Sequence, residues 1–314
     1  MSVPLRERLM GLFSVVVTPF GPDGAFAPEA FETILQWHLA QGSAGLVIAA
    51  DNGEASLLSL EERRRMAEVA VRVAKGRVPV VMGAIGTHAF TAAETARMVA
   101  AGAEAGCDAT LVAPAPYIHS GTRSEIVLRY REIHRAVPLP VIAYNNPRHF
   151  GVPVEGDTLQ ALVDEIELVG VKQSSRDFLA ITNEIHRFAD RVAMFMGCGY
   201  LLMPGLALGA AGIMSTGIDL LGPVGARVPD MARAGWTNET RALHRRIARL
   251  YAFLLATGTA PAPLKAALNS IGLPAGDPRL PAQPLAGEDL ERLAALLGEL
   301  GVERPAQRGR DYAA

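Results

Sequence analysis

Eight short apolar runs, each continuous rather than alternating and most followed by a longer segment of helical period, succeed one another from residue 12 to about residue 220. The runs are Leu12–Val17, Gly45–Ala49, Pro79–Met82, Ala109–Ala113, Pro140–Tyr144, Leu168–Lys172, Ala193–Met196 and Gly212–Met214. Helix candidates between them include Pro28–Ala40, Leu60–Ala74, Ala92–Ala105, Arg123–Ala136, Thr158–Glu165 and Leu179–Arg187. A strand that does not alternate is buried on both faces, and a helix after each strand supplies the cover. The pattern predicts an α/β chain whose residues 8–222 form a (β/α)8 TIM barrel. An open doubly wound sheet would instead need a strand followed by GxGxxG at the start of a helix. The nearest candidate, Gly197-Cys198-Gly199, runs on to Leu202 where the third glycine belongs.

After residue 220 the pattern turns purely helical, over roughly Val224–Ala234, Thr237–Ala256, Ala262–Ile271 and Gly287–Leu300. These segments predict an appended C-terminal helical bundle over 223–302. Residues 303–314 carry no apolar periodicity and read as a flexible tail.

Composition removes several classes of function. Half of the 314 residues are hydrophobic and 20% are charged, enough for a large core. Thirty basic residues against thirty-two acidic ones, with no block of about five or six like charges, argue against a nucleic-acid surface. No stretch reaches the roughly 20 uninterrupted apolar residues of a membrane span. The apolar run near the N-terminus is broken by Thr18, Pro19 and Gly21, so it reads as a first strand and not as a signal peptide. Cys107 and Cys198 are too few for a disulfide framework and lack CxxC spacing, which fits a reducing cytoplasm. The seven histidines show no HExxH spacing, so no metal centre is expected.

Active sites of such barrels lie where the strands end. Three runs turn polar abruptly: Ala49-Ala50-Asp51-Asn52-Gly53-Glu54, Ala143-Tyr144-Asn145-Asn146-Pro147 and Val171-Lys172-Gln173-Ser174-Ser175. Only Lys75, Lys172 and Lys265 are lysines, and a GC-rich coding bias toward arginine accounts for most of that scarcity. Lys172 closes an apolar strand, where desolvation disfavours the charged amine and lowers its pKa. A neutral amine attacks ketones, and the resulting imine is an electron sink for cleavage, aldol addition or elimination at the neighbouring carbon. An ion-paired lysine snorkelling at a strand end fits the same pattern equally well. Tyr144 ends the preceding strand, either as an acid/base phenol in the same mouth or as a packing residue. Asn52 and Gly53 sit in a turn whose amide and backbone N–H groups suit a carboxylate, although turn formation alone also explains Asn-Gly.

Taken together, these segments resemble the dihydrodipicolinate synthase and N-acetylneuraminate lyase family over nearly the whole chain. The resemblance is carried by Val17-Thr18-Pro19-Phe20, by Asp51-Asn52-Gly53-Glu54 with Leu57, Glu61 and Arg63, by Tyr144-Asn145-x-Pro147 and by Gly170-Val171-Lys172. Gly209-Ala210-Ala211-Gly212-Ile213 and the C-terminal set Pro263, Lys265, Gly272, Arg279 and Pro281 extend it. The resemblance implies a barrel whose Lys172 forms a Schiff base with pyruvate or a related 2-oxo acid. Tyr144 is then the acid/base phenol, the Asp51–Glu54 loop the carboxylate site, and Ser174 and Ile213 further substrate contacts. Lys265 reads as structural and Lys75 as a surface residue. The resemblance also implies a dimer or tetramer of barrels, with no metal or organic cofactor beyond the covalent imine on Lys172.

The chain departs from the family pattern at several points. Asp51 stands where many members carry a hydroxyl residue. An ionised carboxylate ~4 Å from the substrate's own would cost roughly 4 kcal/mol at an effective dielectric of ~20. Asp51 therefore points away, is held protonated, or has replaced the hydroxyl in proton transfer, and the last is favoured. Pro116 occupies the position of the synthase branch's second tyrosine, for which Tyr117 or His119 are candidate substitutes, and Arg148 is displaced by one from the synthase arginine. Lys172-Gln173-Ser174-Ser175 looks like the lyase branch, whose hydroxyls meet those of a sugar acid. The expected activity is a lyase or aldolase acting on pyruvate or a hydroxylated 2-oxo acid. The alternatives are dehydration or deamination of a 2-keto-3-deoxy sugar acid, 4-hydroxy-tetrahydrodipicolinate synthesis, or non-catalytic binding of a 2-oxo acid.

Overall fold

The computed structural model describes residues 3–86, 88–115 and 121–302. The tail expected over 303–314 lies outside them, as do Pro116, Tyr117 and His119. Eight parallel strands close on one another in chain order: β1 (Gly11–Val15), β2 (Gly45–Ile48), β3 (Val80–Ala84), β4 (Ala109–Val112), β5 (Val141–Asn145), β6 (Leu168–Gln173), β7 (Ala193–Met196) and β8 (Gly212–Ile213). This is the predicted TIM barrel, with strand bounds within about two residues of those read from the sequence.

Helices begin where the local chemistry allows. Those after β2, β3 and β4 open on reciprocal capping boxes, Ser59 with Glu62, Thr91 with Glu94 and Thr122 with Glu125. The helix Leu202–Ala207, between β7 and β8, was not foreseen, because Pro204 and Gly205 leave its six residues without a helical period.

Strand parity divides the core into two shells. Phe13, Val15, Val47, Val81, Leu111, Ile142, Tyr144 and Phe195 fill the barrel, where Phe13 meets Phe195 edge to face with centroids 4.9 Å apart. Their strand neighbours, such as Leu12, Leu46, Ala143 and Val171, face outward into a second cluster shared with the helices. That outer cluster also takes in Leu243, Ile247, Leu250, Leu264 and Leu268 from the C-terminal helices Asn238–Ala256 and Ala262–Ser270, so the extension packs on the barrel through apolar burial.

Candidate active site

The loop after β2 splits in two. Asp51 and Asn52 turn into the mouth of the barrel, whereas Glu54 turns back into the protein with a left-handed backbone, φ 57°. There its carboxylate meets the fully buried Lys265 ammonium at 2.6 Å and accepts the Arg279 backbone N–H at 2.8 Å. Arg279 also pairs with Glu62 and donates to the carbonyls of Gly24 and Leu57. Lys265 is structural, as expected, but the sequence did not reveal that its partner is Glu54. Glu54 is thereby removed from the carboxylate site. Arg63, also fully buried, ties the same loop to β3 by donating to the carbonyls of Ala55, Gly83 and Ile85.

A cavity of about 270 Å³ lies over the barrel mouth, with Asp51, Asn52, Tyr144, Lys172 and Ser174 on the barrel side and Tyr251, Leu254, Pro261 and Leu264 on the side of the C-terminal helices. Tyr144 and Lys172 stand opposite each other in the β5–β6 register, so pleat parity sends both side chains inward. The Lys172 Nζ lies 4.2 Å from the Tyr144 ring centroid, and the residue is 95% removed from solvent, with 5% exposure. Among the described residues Lys172 forms no ion pair, so the snorkelling alternative is not what the chain adopts. Burial holds its amine below the usual lysine value, against the opposing pull of the Asp51 charge.

The Tyr144 hydroxyl donates to Asp51 Oδ2 at 2.5 Å and accepts from Asn146 Nδ2 at 3.0 Å. Burial, and then the Asp51 charge, push this phenol well above its ordinary value. Burial also works to raise the Asp51 carboxyl, but contacts with His149, Lys172 and Tyr144 outweigh it and hold the group below the usual range. Asp51 therefore does not point away from the mouth, and its neighbours favour the carboxylate form.

Asn52 is oriented by Thr216, whose hydroxyl donates to its Oδ1 at 3.1 Å, and its Nδ2 reaches the Val15 carbonyl at 3.4 Å. One amide hydrogen is left for a ligand. Gly53 and Ile213 do not line the cavity. The Gly53 N–H closes the turn on the Ala50 carbonyl and its own carbonyl accepts from Thr18, so the free N–H expected there is already used. Ile213 faces the outer shell by strand parity, and its neighbour Met214 takes the inward position.

Ser174 faces the cavity beside Gly197. A Cβ built on Gly197 would lie 2.1 Å from Ser174 Oγ. Gly197→Ala is expected to drive that hydroxyl into another rotamer and lower kcat/KM about tenfold, roughly 1.4 kcal/mol. Steady-state kinetics would show it, and in a Ser174→Ala background the same change should cost little more. Equal losses in both backgrounds would place the effect elsewhere.

Asn146, His149, Gly197 and Thr216 also reach the cavity, and the sequence does not point to them. Asn146 stands in a polar strand end with no role of its own, Gly197 resembles only a fragment of a phosphate loop, and His149 and Thr216 carry no local signal.

The model of the dihydrodipicolinate synthetase family matches residues 8–300. The 4-hydroxy-tetrahydrodipicolinate synthase of Protochlamydia amoebophila is 30% identical over 300 residues, covering 94% of this chain and 98% of that one. The crystal structure of chloride-inhibited dihydrodipicolinate synthase from Acinetobacter baumannii complexed with pyruvate has a TM-score of 0.86 and 30% identity, covering 94% of this chain and 99% of the other. A catalytic-lysine mutant of sialic acid aldolase from Ruminococcus gnavus has a TM-score of 0.86 at 20% identity, covering 94% and 97%, and is similar in fold.

Proposed function

Because this chain belongs to the dihydrodipicolinate synthetase family, we propose that it is a lyase that joins Lys172 to pyruvate or a hydroxylated 2-oxo acid as an imine and makes or breaks the carbon–carbon bond beside it. The observation that carries the reading is the unpaired amine of Lys172, buried at the end of β6 beside the Tyr144 phenol. Its depressed pKa keeps more of it neutral, and hence nucleophilic, at working pH. Attack on the keto carbon expels water and leaves a cationic imine. The electron pair of the neighbouring bond then collapses toward nitrogen.

The Tyr144 phenol would move protons at the ligand, with Asp51 as its partner, while Asn52 and Ser174 hold the carboxylate and hydroxyls. The imine itself is the electron sink, so neither metal nor organic cofactor enters the proposal. The proposal extends to a homo-oligomer, dimer or tetramer, in the cytoplasm. No helix among the described residues is long and apolar enough to cross a membrane.

Borohydride reduction in the presence of pyruvate tests the reading. An adduct on the peptide carrying Lys172 is expected, and its absence with pyruvate and every other small 2-oxo acid would sink it. Tyr144→Phe should still be trapped yet turn over about 10²- to 10³-fold more slowly, since a positioned acid/base contributes on that order. Turnover within threefold of the parent would remove the phenol from the mechanism.

A second reading, 4-hydroxy-tetrahydrodipicolinate synthesis, is favoured by the names of the relatives and by Arg148 on the cavity wall, a cation for a second carboxylate. Product analysis separates the outcomes. Pyruvate release marks aldol cleavage, an unbroken carbon skeleton marks dehydration or deamination, and consumption of pyruvate with an amino-aldehyde acid marks synthesis.

A further inference from the structure

Asp51 has a second neighbour that the chemistry at Lys172 does not require. His149 belongs to the four-residue helix Pro147–Phe150 that follows β5, and its Nδ1 lies 3.5 Å from the same Asp51 Oδ2 that accepts the Tyr144 hydroxyl at 2.5 Å. The three groups thus form a chain from inside to outside. Tyr144 is 2% exposed, the Asp51 side chain 35% and the His149 side chain 52%. Phe150, the residue after His149, packs edge to face on Tyr144 with centroids 5.4 Å apart, fixing the short helix to the phenol it serves.

We propose that His149 is the solvent end of a proton relay running Tyr144, Asp51, His149. The inference rests on the Schiff-base reading above and extends it to the route by which protons leave the cavity. When the imine becomes an enamine, the C–H electron pair forms the new carbon–carbon double bond and the C=N pair moves to nitrogen, cancelling its charge. The released proton goes to the Tyr144 oxygen as the phenol passes its own proton to Asp51. Asp51 in turn protonates His149 Nδ1, and the imidazolium gives its proton to water. Each group ends as it began, and the positive charge has moved from the imine to bulk solvent. Histidine suits the outer station because its imidazole can accept a proton on one ring nitrogen and release one from the other.

Exchange of the pyruvate methyl protons for deuterium in D2O, followed by NMR, reads this step alone, while borohydride trapping reads imine formation. His149→Phe and His149→Ala are expected to keep the trapping yield within twofold of the parent and to slow exchange 30-fold or more. Added imidazole should restore exchange in His149→Ala but not in His149→Phe, which fills the space. Melting temperatures check that each variant is folded. Exchange at parental rates in both variants would overturn the relay and leave the Schiff base standing, as would a slowed His149→Ala that imidazole does not rescue. A parent that is trapped but exchanges no deuterium would also overturn it. A parent that cannot be trapped would overturn the relay and the Schiff-base reading together.

Discussion

Lys172→Ala should retain the fold and lose all covalent capture of pyruvate, with turnover falling by at least ~10³-fold, or about 4 kcal/mol of transition-state free energy. The size follows from what is removed. Every later step draws electrons toward the imine nitrogen, and no other lysine is near it. Lys265 is committed to Glu54, and Lys75 caps a surface helix after β2. Stability should hold or rise, because truncation removes a buried amine whose charged form burial penalises and which has no ion pair of its own. Three measurements on one sample decide the matter: a reductive-trapping mass map, single-turnover kinetics and a urea melt. Ligand-induced thermal stabilisation that survives the substitution, in a parent that turns nothing over, would support a protein that merely binds 2-oxo acids, and turnover unchanged by the substitution would remove Lys172 from the chemistry.

Lys265→Met carries the largest expected cost to stability, about 3–5 kcal/mol, because it strands a buried carboxylate without its cation. The Lys265 ammonium is wholly enclosed and lies 2.6 Å from Glu54 Oε1. It also donates to the Asp277 carbonyl at 2.9 Å and sits 4.4 Å from the centre of the Phe20 ring. Arg279 cannot take over, since its guanidinium is spent on Glu62, Leu57 and Gly24. Glu54→Gln combined with Lys265→Met should recover much of the loss, because a neutral amide is far cheaper to bury alone. Urea unfolding of the two singles and the double forms the cycle. A single-variant loss under 1 kcal/mol would show that Glu54 finds water or another partner. Turnover should fall with stability, because the left-handed turn at Glu54 closes the loop that presents Asp51 and Asn52.

What could be read in advance follows from range along the chain. The barrel is written locally, in apolar runs and capping boxes such as Ser59 with Glu62, and the strand bounds came out within about two residues. Lys172 and Tyr144 were legible because each closes an apolar run, and their shared inward direction follows from pairing in the β5–β6 register. The resemblance at Ile213 gave a position but not a direction, and parity turned that side chain outward.

Contacts made across the chain left no mark. Tyr144 reaches Asp51 over 93 residues, and Arg279 reaches Glu54 over 225. His149 carries no signal in the sequence, since nothing in Pro147-Arg148-His149-Phe150 announces a carboxylate next to it. Asp51 stands out in the sequence as a departure from the family pattern, but its contacts with Tyr144 and His149 do not. A departure from a family pattern is legible in sequence, but its physical reason lies in packing.

The far wall of the cavity is built from Tyr251, Leu254, Pro261 and Leu264, and the brace on its loop from Lys265 and Arg279. On a ribosome, these residues emerge after all eight strands. A chain ended before residue 260 would keep β1 to β8 and Lys172 but lack Pro261, Leu264, Lys265 and Arg279, leaving the cavity more open on that side and its loop unbraced. Losing the extension should thus change how the cavity is enclosed while leaving the strands that carry Tyr144 and Lys172 unchanged.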